Sequence, residues 1–190
     1  QTCCGQPAYI DGYRDHCKKV GEKLIHEFSD ERYIVTPAAS CVSMVKNHYQ
    51  SLFHNSSLHN EYKIIRNKIY EFSDFLVNVL HATDVGARLD AVATYHDSCT
   101  ALRELGIKEA PRTLLSKVRG LQLVEMKDTE LCCGAGGGLP RKFESIAVNM
   151  GEEKIRNASD SQAEFIISTD YQCLMHMQGI IAKQQKPLKV

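Results

Sequence analysis

A chain of 190 residues with 23 basic and 23 acidic side chains is long enough to bury an ordinary core and carries no formal net charge at neutral pH. It has no basic block, so no nucleic-acid partner and no anionic membrane surface is expected. Its apolar runs are only a handful of residues, too short for a membrane span, and its eight cysteines with no visible signal peptide point to reduced thiols in a cytoplasmic setting.

Taken in order, residues 6–28 place Tyr13, Cys17, Val20, Leu24 and Phe28 at helical spacing and predict an amphipathic helix. Cys17 in that stripe reads as a small buried apolar residue. Tyr33-Ile34-Val35-Thr36 predicts a short strand stopped by Pro37, after which Cys41 opens a helix with Val45, His48 and Leu52 on one side. A polar loop over 54–60 leads to a longer helix over 61–81, with Ile65, Ile69, Phe72, Leu76 and Val79 or Leu80 inward. Beyond Gly86, a strand from Leu89 to Tyr95 delivers His96-Asp97-Ser98-Cys99. Pro111 begins a helix running to Val118. Gln122 to Met126 is the next strand and ends just before Cys132-Cys133. Residues 139–158 are predicted helical with Phe143, Ile146, Ala147, Met150 and Ile155 as the stripe, and Glu164 to Ser168 is the last strand. A helix from Cys173 to about Lys183 follows, and 184–190 reads as a frayed tail.

The cysteines impose a second pattern on these elements. Cys3-Cys4-Gly5 recurs as Cys132-Cys133-Gly134, and each copy is followed by a further cysteine, Cys41 and Cys173. The offsets are 129 positions for the doublets and 132 for the single residues, a two-copy repeat that holds seven of the eight cysteines. Two units are therefore expected, 1–85 and 86–190. The counterpart of Cys99 in the first copy falls ahead of residue 1, so the chain, which begins with Gln, is read as lacking the first strand and one ligand of that copy. Strand, cysteine loop and helix recur four times, which predicts an α/β fold of two pseudo-repeated halves. Its strands would be parallel, helices would flank them, and the cysteines would gather beyond the carboxyl ends of the strands. Several of those positions open helices, where the macrodipole favours thiolate over thiol.

Adjacent cysteines are ill suited to two structural disulfides in one place, and a chain of this size does not depend on such staples. Thiolates from three strand ends, Cys99, Cys132, Cys133 and Cys173, form a soft-ligand set for iron–sulfur or zinc. No Cys-x-x-Cys knuckle of the structural zinc kind is present. Neighbouring thiols suit a multi-iron cluster better than two corners of one tetrahedral ion, so iron–sulfur is the favoured reading and zinc the alternative. The glycines at 134, 136 and 137 let backbone N–H groups approach an anionic centre. A mobile loop beside buried cysteines is the plainer explanation of the same run.

The duplicated Cys-Cys-Gly, with Ser-Cys-Val-Ser-Met in one copy and Gln-Cys-Leu-Met-His in the other, resembles the cysteine-rich CCG domain family of iron–sulfur oxidoreductase subunits. That family includes the heterodisulfide reductase B subunit, the glycolate oxidase iron–sulfur subunit and the anaerobic glycerol-3-phosphate dehydrogenase C subunit. The likeness covers nearly the whole chain. It implies an electron-transfer subunit of a complex that oxidises L-lactate or a related 2-hydroxy acid, partnered by the other subunits of that complex. It also implies that Cys99, Cys132, Cys133 and Cys173 hold one cluster, of the 4Fe-4S type, while Cys3, Cys4 and Cys41 belong to a second site. The chain departs from the fuller pattern at Met44 and His176, each standing where a further cysteine is found. That departure counts against direct heterodisulfide chemistry, which remains one alternative beside a zinc-stabilised interaction module.

Among the other residues, His176 falls on the face of Cys173 and is set as a ligand or a donor to cluster sulfide against an ordinary helix histidine. His96 and Asp97 would orient the site or handle a proton, with helix capping as the plain role of Asp97. Met44 is read as core. His48, His54, His59 and His81 share no spacing with the cysteines, and Arg141 and Lys142 are read as a solvated helix start. No dinucleotide-binding glycine fingerprint is present in usable form.

Overall fold

The structure, a computed structural model, describes residues 3–190. It is a mixed α/β protein whose strands pair in parallel in two sheets.

The chain enters through α1 (Gln6–Ile10) and α2 (Arg14–Glu27), which are separate helices rather than the single one predicted. Gly12 sits between them at φ +88°, a conformation that glycine adopts without strain. The break leaves Tyr13 exposed and turns Cys17, Gly21, Leu24 and Ile25 inward. The β-branched triplet of β1 (Ile34–Thr36) follows, then α3 (Ala39–Ser43), a π-helical turn (Met44–His48) and α4 (Tyr49–Phe53). The wider π turn moves the inward stripe on by one residue, so Val45, Tyr49 and Phe53 are buried instead of Val45, His48 and Leu52.

Helix α5 (His59–Lys68) ends where β2 (Ile69–Glu71) begins, followed by α6 (Phe72–Asp74) and a π-helical turn (Phe75–Val79). This corrects the continuous helix predicted over 61–81. Ile65, Ile69 and Phe72 do fall at helical spacing, but Ile69 is extended and pairs with Ile34 in the first sheet, β1-β2. Tertiary pairing has overridden the local period, and Phe72 is left exposed.

The second sheet has β3 (Arg88–Tyr95) at its centre, between β4 (Arg119–Leu123) and β5 (Phe165–Ile167). β3 leads into a π-helical turn (Thr100–Glu104) and α7 (Glu109–Leu115). β4 ends three residues earlier than predicted, which lengthens the loop that carries Cys132-Cys133. After it come α8 (Leu139–Lys142), α9 (Glu144–Asp160) and, beyond β5, α10 (Tyr171–Gln184).

Helix α9 buries Ala147, Gly151, Lys154, Ile155 and Ala158, while Phe143 and Ile146 of the predicted stripe face outward. The period is helical, but its inward positions include a glycine and a lysine, which an apolar pattern passes over. At Gly151 a Cβ would stand 2.4 Å from Ile180 Cδ1, so the missing side chain is what lets α9 and α10 approach. The predicted frayed tail is docked instead. Lys189 exchanges backbone bonds with Ile166 at 2.8 Å and Glu164 at 2.9 Å, and Leu188 is buried.

The halves meet through paired polar groups. Glu104 accepts from the Ser43 hydroxyl, and its carbonyl accepts from Asn47 Nδ2 at 3.3 Å. Asp11, in the α1–α2 turn, pairs with Lys142 Nζ at 2.9 Å and with Arg141. The two basic residues read as a solvated helix start therefore hold the glycine loop against the first half.

Candidate metal centre

Cys41, Cys99 and Cys173 stand where a strand hands over to a helical turn, and Cys132-Cys133 lie in the loop after β4. Cys41 and Cys173 lie in the first turns of α3 and α10, and Cys99 immediately precedes the turn Thr100–Glu104. Asp170 caps α10, accepting from the Gln172 N–H at 3.3 Å, and its other carboxylate oxygen accepts from Thr100 Oγ1 at 3.1 Å. That carboxylate therefore ties the turn bearing Cys99 to the helix bearing Cys173. Burial raises its pKa, an effect that the Thr100 hydroxyl opposes.

Cys99, Cys132, Cys133 and Cys173 all line one cavity of about 240 Å³, together with His96, Ala135, Gly136, Gly137 and Asp170. Gln6, Ile10 and Ser40 of the first half form part of the same wall. Positions 74 residues apart along the chain thus meet in one pocket, because β3, β4 and β5 end side by side.

Cys132 is held toward thiolate by hydrogen bonds from the Cys133 and Cys99 thiols and from the Gly134 N–H, whose distance to Cys132 Sγ is 3.4 Å. Donation to Cys132 correspondingly raises Cys99 and Cys133, and burial adds to both shifts. The Cys173 thiol also accepts from Cys133. Four sulfurs sharing protons in this way form a set that a cation would organise.

His96 completes the cavity. Its ring is fully buried, neither nitrogen has a hydrogen-bond partner, and it forms with Cys133 and Cys173 a group whose donor atoms lie within 4.8 Å of one another. Burial, helped by the Lys154 cation, pushes its pKa down to about 4, so the ring is the neutral, ligating form. Soft sulfurs and an unpartnered imidazole lining one cavity fit a thiophilic metal or an iron–sulfur group. His176 lies elsewhere. Its Nε2 contacts the Ala147 carbonyl at 3.0 Å, and it lines a neighbouring groove with Met175 and Pro140.

The first half repeats the turn. Gly5 and Gly134 adopt φ +86° and +85°, and each N–H points at the first sulfur of its doublet, 3.3 Å from Cys3 and 3.4 Å from Cys132. Cys3, Cys4 and Cys41 line a cavity of about 430 Å³ with Leu24, Phe28, Ile34 and Ile69. Cys41 donates to Cys4, lowering Cys4 and raising Cys41. Cys17 is buried beside this turn, its Sγ 2.9 Å from where a Gly5 Cβ would sit, and burial pushes it up to about 11. Met44 is core, as expected. None of Cys4, Cys17, Cys41, Cys99, Cys132, Cys133 and Cys173 is in a disulfide.

Two supporting residues carried no readable motif. Arg112 grips Asp97 with two bonds of 2.8 Å, fixing the segment between His96 and Cys99. Lys154, fully buried, donates to the Asp128 and Thr129 carbonyls at 2.7 and 2.6 Å and so pins the loop that leads to Cys132. Burial lowers the Lys154 pKa to about 8. A lysine depressed below its ordinary value costs stability while the folded state holds its proton, and that cost fades as pH climbs from about 8 toward the unfolded value of about 10.4. The wild type is therefore expected to gain stability relative to Lys154→Met across that window. Urea midpoints of both proteins at several pH values check this, and parallel curves would contradict it.

A duplicated Cys-Cys-Gly turn in a parallel α/β fold, each copy lining a cavity with further cysteines, defines a class of cysteine-rich proteins. The CCG cysteine-rich domain family matches residues 1–46 and 93–178, and the chain belongs to that family. It is 42% identical over 191 residues to lactate utilization protein A of Geobacillus kaustophilus (strain HTA426), covering all of this chain and 80% of that protein. The namesake in Lysinibacillus sphaericus (strain C3-41) is 42% identical over 191 residues, with all of this chain and 83% of that protein covered. Lactate utilization protein A 2 of Bacillus cereus (strain AH820) is 40% identical over 191 residues, covering all of this chain and 79% of the relative.

Proposed function

We propose that this chain is an iron–sulfur electron-transfer subunit of a cytoplasmic complex that oxidises L-lactate or a related 2-hydroxy acid. The convergence of Cys99, Cys132, Cys133 and Cys173 with the unpartnered His96 in one cavity carries this reading. The names of the relatives supply the substrate class. The four thiolates would hold a cluster of the 4Fe-4S type, which supplies one-electron transfer when bound. Cys3, Cys4 and Cys41 would serve a second centre, with 1–85 and 86–190 as the two repeated units. Around the first centre, Cys132 is already held toward thiolate, Gly134 donates its N–H to that sulfur, and the Arg112–Asp97 pair fixes the strand end. Gln6, Ile10 and Ser40 complete the wall of this cavity from the first half. Substrate chemistry and the electron acceptor belong to partner subunits.

Lactate added to the anaerobically prepared chain with its partner subunits is expected to bleach the visible absorption of this chain. A colourless chain, or a colour that lactate leaves unchanged in an active complex, would contradict the proposal. The group of His96, Cys133 and Cys173 also suits a single zinc ion, which is the second reading. Stoichiometric zinc with no iron after anaerobic expression would favour it.

A further inference from the structure

Hydrogen bonding leaves one side chain of the cavity unexplained. His96 is 0% exposed, yet both Nδ1 and Nε2 lack a partner, and buried imidazole nitrogens in folded proteins are nearly always paired. Its main chain is fixed, because it extends the central strand β3 and its N–H donates to the Ile167 carbonyl at 2.8 Å. The ring itself has no access to solvent. A ring nitrogen instead lies within 4.8 Å of the Cys133 and Cys173 sulfurs.

We propose that the His96 imidazole is a direct ligand of the metal centre beside the four thiolates, which makes the donor set mixed, thiolate and imidazole, rather than all-cysteine. The inference rests on the reading that this site holds iron, and it goes beyond that reading by naming a nitrogen donor. His176, the histidine beside Cys173 in sequence, is not that donor, because it lines a neighbouring groove and takes no part in the cavity where the four cysteines and His96 meet. The rigid central strand holds such a ligand better than the glycine loop would.

The test uses the chain prepared anaerobically with ¹⁵N-histidine, reduced with dithionite, and studied by pulsed electron paramagnetic resonance. A strongly coupled histidine nitrogen is expected, lost in His96→Gln and retained in His176→Gln. Iron and sulfide present with no strongly coupled nitrogen, or only the weak coupling of a hydrogen bond, would overturn the assignment of His96 and leave the iron–sulfur reading standing. A coupling that survives His96→Gln would also overturn it. Absence of iron and sulfide would overturn both readings together. The labelled unsubstituted chain carries the primary signal, so the result stands even where His96→Gln fails to fold.

Discussion

Replacing Arg112 with Ala is expected to lower the unfolding free energy by about 3–5 kcal/mol, the usual cost of leaving a buried charge without its partner. The carboxylate left behind is Asp97, whose side chain is 0% exposed, while that of Arg112 is only 15% exposed. Arg112 meets both oxygens at 2.8 Å and also binds Glu125 Oε1 at 2.8 Å and the Lys108 carbonyl at 2.9 Å, whereas Lys154 and Lys108 act on Asp97 only through space. The Asp97 hydrogen bonds in turn raise the guanidinium pKa, so the charge persists at any working pH. Asp97→Asn keeps the shape, and the Arg112 charge it leaves behind still pairs with the half-exposed Glu125, so its loss should be clearly smaller. Urea midpoints with an unchanged m-value measure both. Equal losses in the two variants would show that the pair acts as a shape and not as a charge. Because Asp97 lies between His96 and Cys99, Arg112→Ala is also expected to weaken metal retention.

Gly134→Ala is the second large effect. Gly134 holds φ +85°, and a Cβ there would stand 2.5 Å from the Ala147 carbonyl oxygen and 3.1 Å from its Cα, both backbone atoms of α9. The left-handed conformation alone costs an alanine about 1–2 kcal/mol, and the helix cannot yield without disturbing its packing on α10. A loss of more than about 2 kcal/mol is expected, together with loss of bound metal as the Cys132-Cys133 turn opens. Gly136→Ala is the control. It has nothing within 4 Å and no positive φ, so its stability should change by less than about 0.5 kcal/mol. A Gly134→Ala protein as stable as Gly136→Ala would show that the turn is not held as described.

Much of this architecture was legible because chemistry and period agreed. The strand–cysteine–helix recurrence located β1, β3 and β5 within a residue or two, and the repeat of Cys-Cys-Gly foretold two turns that superpose in φ and in their N–H to sulfur bonds. The parallel α/β class followed from that order. What stayed hidden depended on partners far along the chain. Ile69-Tyr70-Glu71 reads as helix until β1 is there to pair with it. Lys154 and Gly151 sit on the inner face of α9, where an apolar count expects neither. His96 and Asp97 were visible as neighbours of Cys99, but Arg112 carried no motif and was missed. Nothing local reveals that α7 places its guanidinium over the end of β3.

The glycine run shows how one composition serves several purposes. Gly134 turns the chain and gives its N–H to a sulfur, whereas Gly137 and Gly138 make room for the α1–α2 turn. A Cβ at Gly137 would lie 2.8 Å from Ile10 Cγ2, and one at Gly138 would lie 3.0 Å from Asp11 Oδ1. Close approach of the two halves therefore accounts for the later glycines as directly as an anionic ligand would.

The most direct measurement is the iron and acid-labile sulfide content of the chain purified without oxygen, beside that of a Cys132→Ser, Cys133→Ser double variant. Several irons with matching sulfide in the unsubstituted chain, falling sharply in the folded double variant, is the result expected of a cluster held where β3, β4 and β5 end. Equal iron and sulfide in the two proteins, or zinc alone in both, would contradict it.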